Sequence, residues 1–151
     1  MTDVLAPVPG RLLPLSAVPD QVFAGQMVGS GMAIEPVAPA DGGEVVVASP
    51  VAGTVLKLHP HAVIVLSDSG VGVLVHVGID TVNLAGEGFR LLAEEKAVVA
   101  AGDPLIAFSP SLIRDRGLSA VCPVVVMDST PDSIAAPAER DVATGDVIFS
   151  V

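Results

Sequence analysis

Fifteen glycines and thirteen prolines punctuate this chain of 151 residues, spread along it rather than gathered in one linker. At that density long helices have nowhere to run, because proline removes an amide donor and glycine weakens helix interiors. Between the breaks lie short runs rich in Val, Ile and Leu: Val45–Val47, Gly53–Leu58, Val63–Leu66, Val73–Val77, Ala97–Ala100, Leu105–Phe108, Val124–Met127 and Val147–Val151. β-Branched runs of this length, bounded by turn residues, predict buried strands. Asp41-Gly42-Gly43, Ser67-Asp68-Ser69-Gly70 and Ala101-Gly102-Asp103 have the composition of tight turns. Two stretches read as briefly helical, Gly88–Glu95 and Pro110–Arg116, the second opened by Ser109-Pro110. The expected fold is all-β, an antiparallel sandwich or barrel with short helical turns.

With 51% hydrophobic residues, a chain of this length can bury a core as one domain, residues 1–151. Only 16% of residues are charged and mean hydropathy is +0.70, which excludes ordinary disorder. A net charge of −10 argues against a nucleic-acid binder. No apolar run approaches the roughly 18 residues of a membrane-spanning helix. The start, Met1-Thr2-Asp3-Val4, has neither the basic nor the apolar region of a signal peptide. One cysteine, Cys122, suits a reducing compartment, and the expected location is the cytoplasm.

The chain carries an internal echo. Ala6-Pro7-Val8-Pro9-Gly10-Arg11-Leu12-Leu13-Pro14-Leu15 resembles Ser49-Pro50-Val51-Ala52-Gly53-Thr54-Val55-Leu56-Lys57-Leu58, and Val99–Asp103 resembles Val142–Asp146. Both matches have an offset of 43 residues, as from Gly10 to Gly53 or from Gly102 to Gly145. Two similar half-units packed face to face would produce such a pattern.

All three histidines fall within eighteen residues, at positions 59, 61 and 76. On one extended strand His59 and His61 would leave the same face. A hairpin through the Ser67–Gly70 turn would bring His76 beside them. His76 interrupts the apolar run Val73–Val77, and a buried imidazole without partners is costly. A satisfied core histidine with two solvent-facing neighbours is one reading. Clustered imidazoles that bind metal or carry a transferable group are the other. For phosphoryl transfer one ring must offer a neutral nitrogen as nucleophile, with a donor nearby for the phosphoryl oxygens.

Several segments resemble the glucose-family IIA component of the bacterial phosphoenolpyruvate-dependent sugar phosphotransferase system. They are Phe23–Ile34, Ser49–Val55, His61-Ala62, Ser67–Val71, Val75–Val82 and Gly86–Phe89, spread over nearly the whole chain. The resemblance implies a β-sandwich built as a duplicated hybrid motif. It also implies a phosphoryl carrier that needs no cofactor, takes the group from phospho-HPr and passes it to the cysteine of a IIB domain of a sugar permease. His61 matches the acceptor, through Nε2, and His76 the second histidine, which holds the phosphoryl group without carrying it. Asp80 matches an acidic rim residue. Phe23, Met27, Val28, Leu74 and Val75 fall at or beside the apolar docking surface. Transient docking to two partners implies a monomer, and direct insertion into a membrane is not expected.

The chain departs from the family pattern at His59, where a threonine usually supports the histidine pair. The rim is also less acidic, with Gly25, Ser30 and Asn83 where some relatives carry carboxylates. An alternative reading is a zinc module, regulatory or a lysostaphin-like hydrolase, using His59-Pro60-His61 and the His76…Asp80 pair. Its two motifs occur in the reverse of the peptidase order, and zinc shared by His61 and His76 alone is the milder form of the same idea. A biotinyl or lipoyl carrier is excluded, because neither Lys57 nor Lys96 has a neighbouring methionine. Cys122, followed by Pro123 and a valine run, reads as a small buried hydrophobe.

Overall fold

The computed structural model describes residues 1–151. Thirteen strands make up most of its regular structure: β1 (Asp3–Leu5), β2 (Gly10–Pro14), β3 (Gly31–Pro36), β4 (Val45–Ala48), β5 (Gly53–His59), β6 (Ala62–Ser67), β7 (Gly72–His76), β8 (Phe89–Leu91), β9 (Val98–Val99), β10 (Pro104–Phe108), β11 (Cys122–Val126), β12 (Arg140–Val142) and β13 (Val147–Ser150). Two short helices, α1 (Gln21–Ala24) and α2 (Pro110–Asp115), and 3-10 turns at Leu15–Ala17 and Thr81–Leu84 lie between them. No helix is long and apolar enough to cross a membrane.

Every strand pairing is antiparallel. An eight-stranded sheet runs β12-β2-β3-β11-β7-β6-β5-β9, beside a three-stranded sheet β4-β10-β8 and the pair β1-β13. The main core contains Leu12, Ile34, Val63, Val65, Val73, Val75, Ile106 and Phe108, all at most 1% exposed. Burying such side chains contributes about 1.5–3 kcal/mol each. A second, smaller cluster lies on the opposite face of the large sheet, where Ala33, Ala62, Leu74 and Val125 pack under Leu15, Val18 and Phe23. Strand alternation produces this division: Val73 and Val75 point to the main core, Leu74 and His76 to the other face.

The 43-residue echo is a structural duplication. Gly10 pairs with Val142 and Gly53 with Val99. Leu5 donates to the Pro50 carbonyl at 2.9 Å and Ala48 to that of Pro7 at 2.9 Å. Gly102 donates to Ser49 at 2.9 Å and Gly145 to Ala6 at 3.0 Å. The turns that follow β9 and β12 are closed alike. The Asp103 carboxylate accepts from the Ala100 amide at 2.8 Å, and that of Asp146 from Ala143 at 2.9 Å. A side chain at Gly10 or Gly53 would run into the neighbouring strand's carbonyl, that of Glu35 or of Leu66. The two ends of the chain meet through β1 and β13, with the Val151 amide donating to Thr2 at 2.8 Å. Thr2 Oγ1 also lies 2.6 Å from Ser69 Oγ, in the β6–β7 turn.

Each predicted strand exists within a residue or two of its expected bounds, and α2 begins as predicted, its Ser109 hydroxyl accepting from the Leu112 amide. The helix expected over Gly88–Glu95 does not form. Phe89–Leu91 instead pairs with Ile106–Phe108, and the Phe89 and Phe108 rings stack at 6.3 Å. Tertiary pairing on the apolar flank of β10 overrides a weak local pattern. The strands β1, β2, β3 and β12 and helix α1 were not anticipated.

Candidate functional site

β5 ends at His59, and Pro60-His61 forms a two-residue turn into β6, so that His59 pairs with Ala62. The expectation that His59 and His61 project from one extended strand is therefore corrected. The chain reverses between them, and their rings nonetheless stack, with centroids 5.6 Å apart and planes 18° from parallel. β7 runs alongside β6 and puts His76 opposite Ala62. The His61 and His76 rings meet edge to face at 5.4 Å and 68°. The Val77 amide donates to the His61 carbonyl at 2.7 Å, which ties the turn to the end of β7.

A cage of local bonds orients His76. Its Nδ1 lies 2.6 Å from the Gly78 carbonyl, a contact that requires Nδ1–H to donate. Gly78 has φ of +76°, and a side chain there would strike Thr81 and the Ser119 carbonyl. The buried Thr81 hydroxyl donates to the Val77 carbonyl at 2.6 Å. Phe23, from α1, covers the ring at 5.1 Å. Asp20 caps α1, its Oδ1 accepting from the Val22 and Phe23 amides.

Burial lowers the pKa of both rings. For His61 desolvation dominates, helped by the neighbouring His76 and His59 charges. For His76 desolvation also dominates, opposed by the Gly78 hydrogen bond and the carboxylates of Asp20 and Asp80. Both imidazoles are therefore neutral at pH 7 and offer lone pairs. The Cys122 thiol is fully buried, pushed up to about 12 by desolvation, and donates to the Ala120 carbonyl at 3.4 Å.

Of the other sequence candidates, Phe23 and Leu74 join the small cluster beside the histidines and Val28 packs against it. Met27 stands 76% exposed on the surface. Val75 does not belong to this surface: its side chain is fully buried in the main core, one residue out of phase with Leu74 and His76. Asp80 is exposed in left-handed backbone. No three His, Cys, Asp or Glu side chains converge to hold a metal ion, so the zinc sphere of His59, His61, His76 and Asp80 is not formed. The stacked His59–His61 pair and the outward Asp80 account for this. Asp20, Gly78 and Thr81 support the site without having been singled out. An Asp immediately before Gln21-Val22-Phe23 is the local signal that marks a helix cap.

The histidines line none of the concavities of the molecule, whose largest is a groove of about 730 Å³ between β4 and β12. The site is a shallow, largely apolar surface, suited to a protein partner and unsuited to enclosing a small substrate.

The family described as phosphoenolpyruvate-dependent sugar phosphotransferase system, EIIA 1, matches residues 2–131. This chain belongs to that family. It is 44% identical over 131 residues to the glucose-specific EIIBCA component of the PTS system of Corynebacterium glutamicum. A mannose-specific EIIBCA component of the same species, strain ATCC 13032, is 45% identical over the same length. Each match covers 85% of this chain but 18% of the relative, so the chain spans about a fifth of the length of these proteins. Among solved structures, glucose permease IIA from Mycoplasma capricolum superposes with a TM-score of 0.84 at 31% identity, covering 96% of this chain and 92% of that one. The β-sandwich expected from the resemblance is thus the fold of the chain, in an EIIA component of a sugar phosphotransferase system.

Proposed function

We propose that His61 is the phosphoryl-accepting residue of this EIIA component, taking the group from phospho-HPr and passing it to the cysteine of a IIB domain during sugar uptake. The observation that carries this reading is the pairing of two neutral imidazoles at 5.4 Å on an apolar surface. His61 sits on a turn, partly exposed and with no intramolecular bond to its ring, and His76 keeps a lone pair on Nε2 because the Gly78 carbonyl holds its proton on Nδ1, so the labelling experiment below decides between the two rings. The His61 lone pair forms the new N–P bond while the donor's N–P bond breaks and its electron pair returns to the donor histidine. The energy is carried in the N–P bond itself, and the transfer needs no cofactor. Transfer to a IIB thiolate repeats the exchange, with an S–P bond formed and the His61 nitrogen released. The apolar surroundings of Phe23, Val28 and Leu74 would exclude water, which otherwise competes for the phosphoryl group. Fusion of EIIA to B and C components in the corynebacterial relatives supports a IIB partner.

Incubation with enzyme I, HPr and phosphoenolpyruvate, followed by mapping of acid-labile phosphate, tests the assignment. His61→Gln is expected to abolish labelling, whereas His76→Gln accepts phosphate but fails to deliver it to IIB. Stable label on His61→Gln protein overturns the acceptor.

A further inference from the structure

Residues 15–30 leave the sheet after β2 and return to it as β3 begins. After α1 this limb bends back on itself, the Met27 amide donating to the Val22 carbonyl at 3.0 Å. Two apolar side chains, Val22 and Met27, are thereby left 46% and 76% exposed on the limb that carries Phe23. Phe23 lies 5.1 Å from His76, and His76 5.4 Å from His61, well inside the breadth of a protein interface. A protein that presents a reactive side chain to His61 therefore also covers this limb.

Between residues 15–28 and the rest of the chain, the side-chain hydrogen bonds are the two made by Gln26. Its Nε2 donates to Asp132 Oδ1 at 2.8 Å, and its Oε1 accepts from the Asp132 amide at 2.7 Å. Both residues take left-handed backbone, with φ of +56° and +63°, a conformation uncommon outside glycine. The loop that bears Asp132 is pinned in its turn. Ser129 Oγ accepts from the Ser30 amide at 2.7 Å, and the Ile134 amide donates to Ser30 Oγ at 3.0 Å. Behind the pair lies a cleft of about 120 Å³, lined by Leu15, Gln26, Asp132 and Ile134 among others. The Gln26–Asp132 bonds thus span a gap between limb and loop where close packing is missing.

We propose that Gln26 and Asp132 form a clasp that positions the Val22–Met27 limb as a docking contact for the phosphoryl-donor protein. The proposal rests on His61 being the acceptor. Both are positioning residues, acting through the limb and not on the reacting atoms. With the clasp open, only the fraction of molecules whose limb is in place can bind the donor, and apparent affinity falls by that fraction. Once the complex has formed, the donor itself holds the limb, and the transfer step keeps its rate.

The test measures phosphoryl transfer from phospho-HPr to the full chain in wild type, Gln26→Glu, Asp132→Asn and the double variant. Gln26→Glu keeps the length of the side chain but sets a second carboxylate against Asp132, which opens the clasp. Adding Asp132→Asn turns the facing acceptor into a donor, and the clasp closes again. KM for phospho-HPr should rise about fivefold in Gln26→Glu with kcat unchanged, and the double variant should return to within about twofold of wild type. Asp132→Asn alone keeps an acceptor for the Gln26 amide and should behave as wild type. Thermal melting checks that each variant is folded. A wild-type KM in Gln26→Glu overturns the proposal, as does a double variant no better than the single one, or a loss confined to kcat. Each of those results, obtained with label on His61, leaves the acceptor assignment standing. Label that survives His61→Gln, or a wild type that takes none, removes the acceptor assignment and this inference with it.

Discussion

The hairpins β2–β3 and β5–β6 hold equivalent places in the two halves, since β2 and β5 are related by the 43-residue offset through Gly10 and Gly53. One closes in two residues, Pro60-His61. The other runs through residues 15–30 before its return strand begins, and that excursion carries Leu15, Val18 and Phe23 onto the outer face of the sheet. The tight turn displays a histidine, and the long one roofs its neighbour. Duplicated scaffolding therefore supplies the frame, and the site arises where the copies differ.

The strongest way to break the comparison is at the shared frame. Gly10→Ala and Gly53→Ala each force a methyl group against backbone that cannot yield. Each should cost about 3 kcal/mol, the upper part of the range for overpacking. Equal losses in urea unfolding would show that the halves are energetically equivalent, and a loss at only one position would show that they are not.

Phe23→Ala strips the roof and leaves the frame alone. A cost of about 2–3 kcal/mol is expected, less than for a central phenylalanine because the ring lies at the edge of a small cluster. The variant should also raise the His76 pKa towards the ordinary histidine value, because burial is the main cause of its depression. The sign for stability follows. With a folded value below the ordinary value of about 6.5, folded His76 binds fewer protons than unfolded His76 between the two. Its contribution is complete above about pH 6.5 and is lost as pH falls towards the folded value. Denaturation at pH 7.5 and 5.5 should show a smaller acid penalty in Phe23→Ala than in wild type, and NMR titration of His76 checks the shift directly.

The smallest effect sharpens the symmetry. Asp103→Ala and Asp146→Ala remove matched turn-closing bonds and should each cost about 1 kcal/mol. A twofold disparity in unfolding free energy would mark one turn as more solvent-screened than its counterpart.

The β5–β6–β7 meander was legible because its β-branched runs and the Ser67–Gly70 turn agree with one another. His76 was legible because a polar ring stands alone in an apolar strand. The long excursion was not: a four-residue helix such as α1 leaves no periodicity to detect. β8 was misread because its partner, β10, lies far along the chain and local spacing cannot announce the pairing. Val75 was misassigned because resemblance identifies a neighbourhood, whereas strand phase decides which of two adjacent side chains faces outward. The Gly78 carbonyl and Thr81 hydroxyl belong to a three-dimensional scaffold around one ring, and no spacing rule reveals it.

The meeting of β1 with β13 has a bearing on assembly. Thr2 touches Ser69 at one extremity of the β6–β7 hairpin, and the histidines occupy the other. Six residues of β6 separate them by about 17–20 Å. Any segment joined at either terminus would leave from the pole remote from the paired imidazoles and would not crowd them.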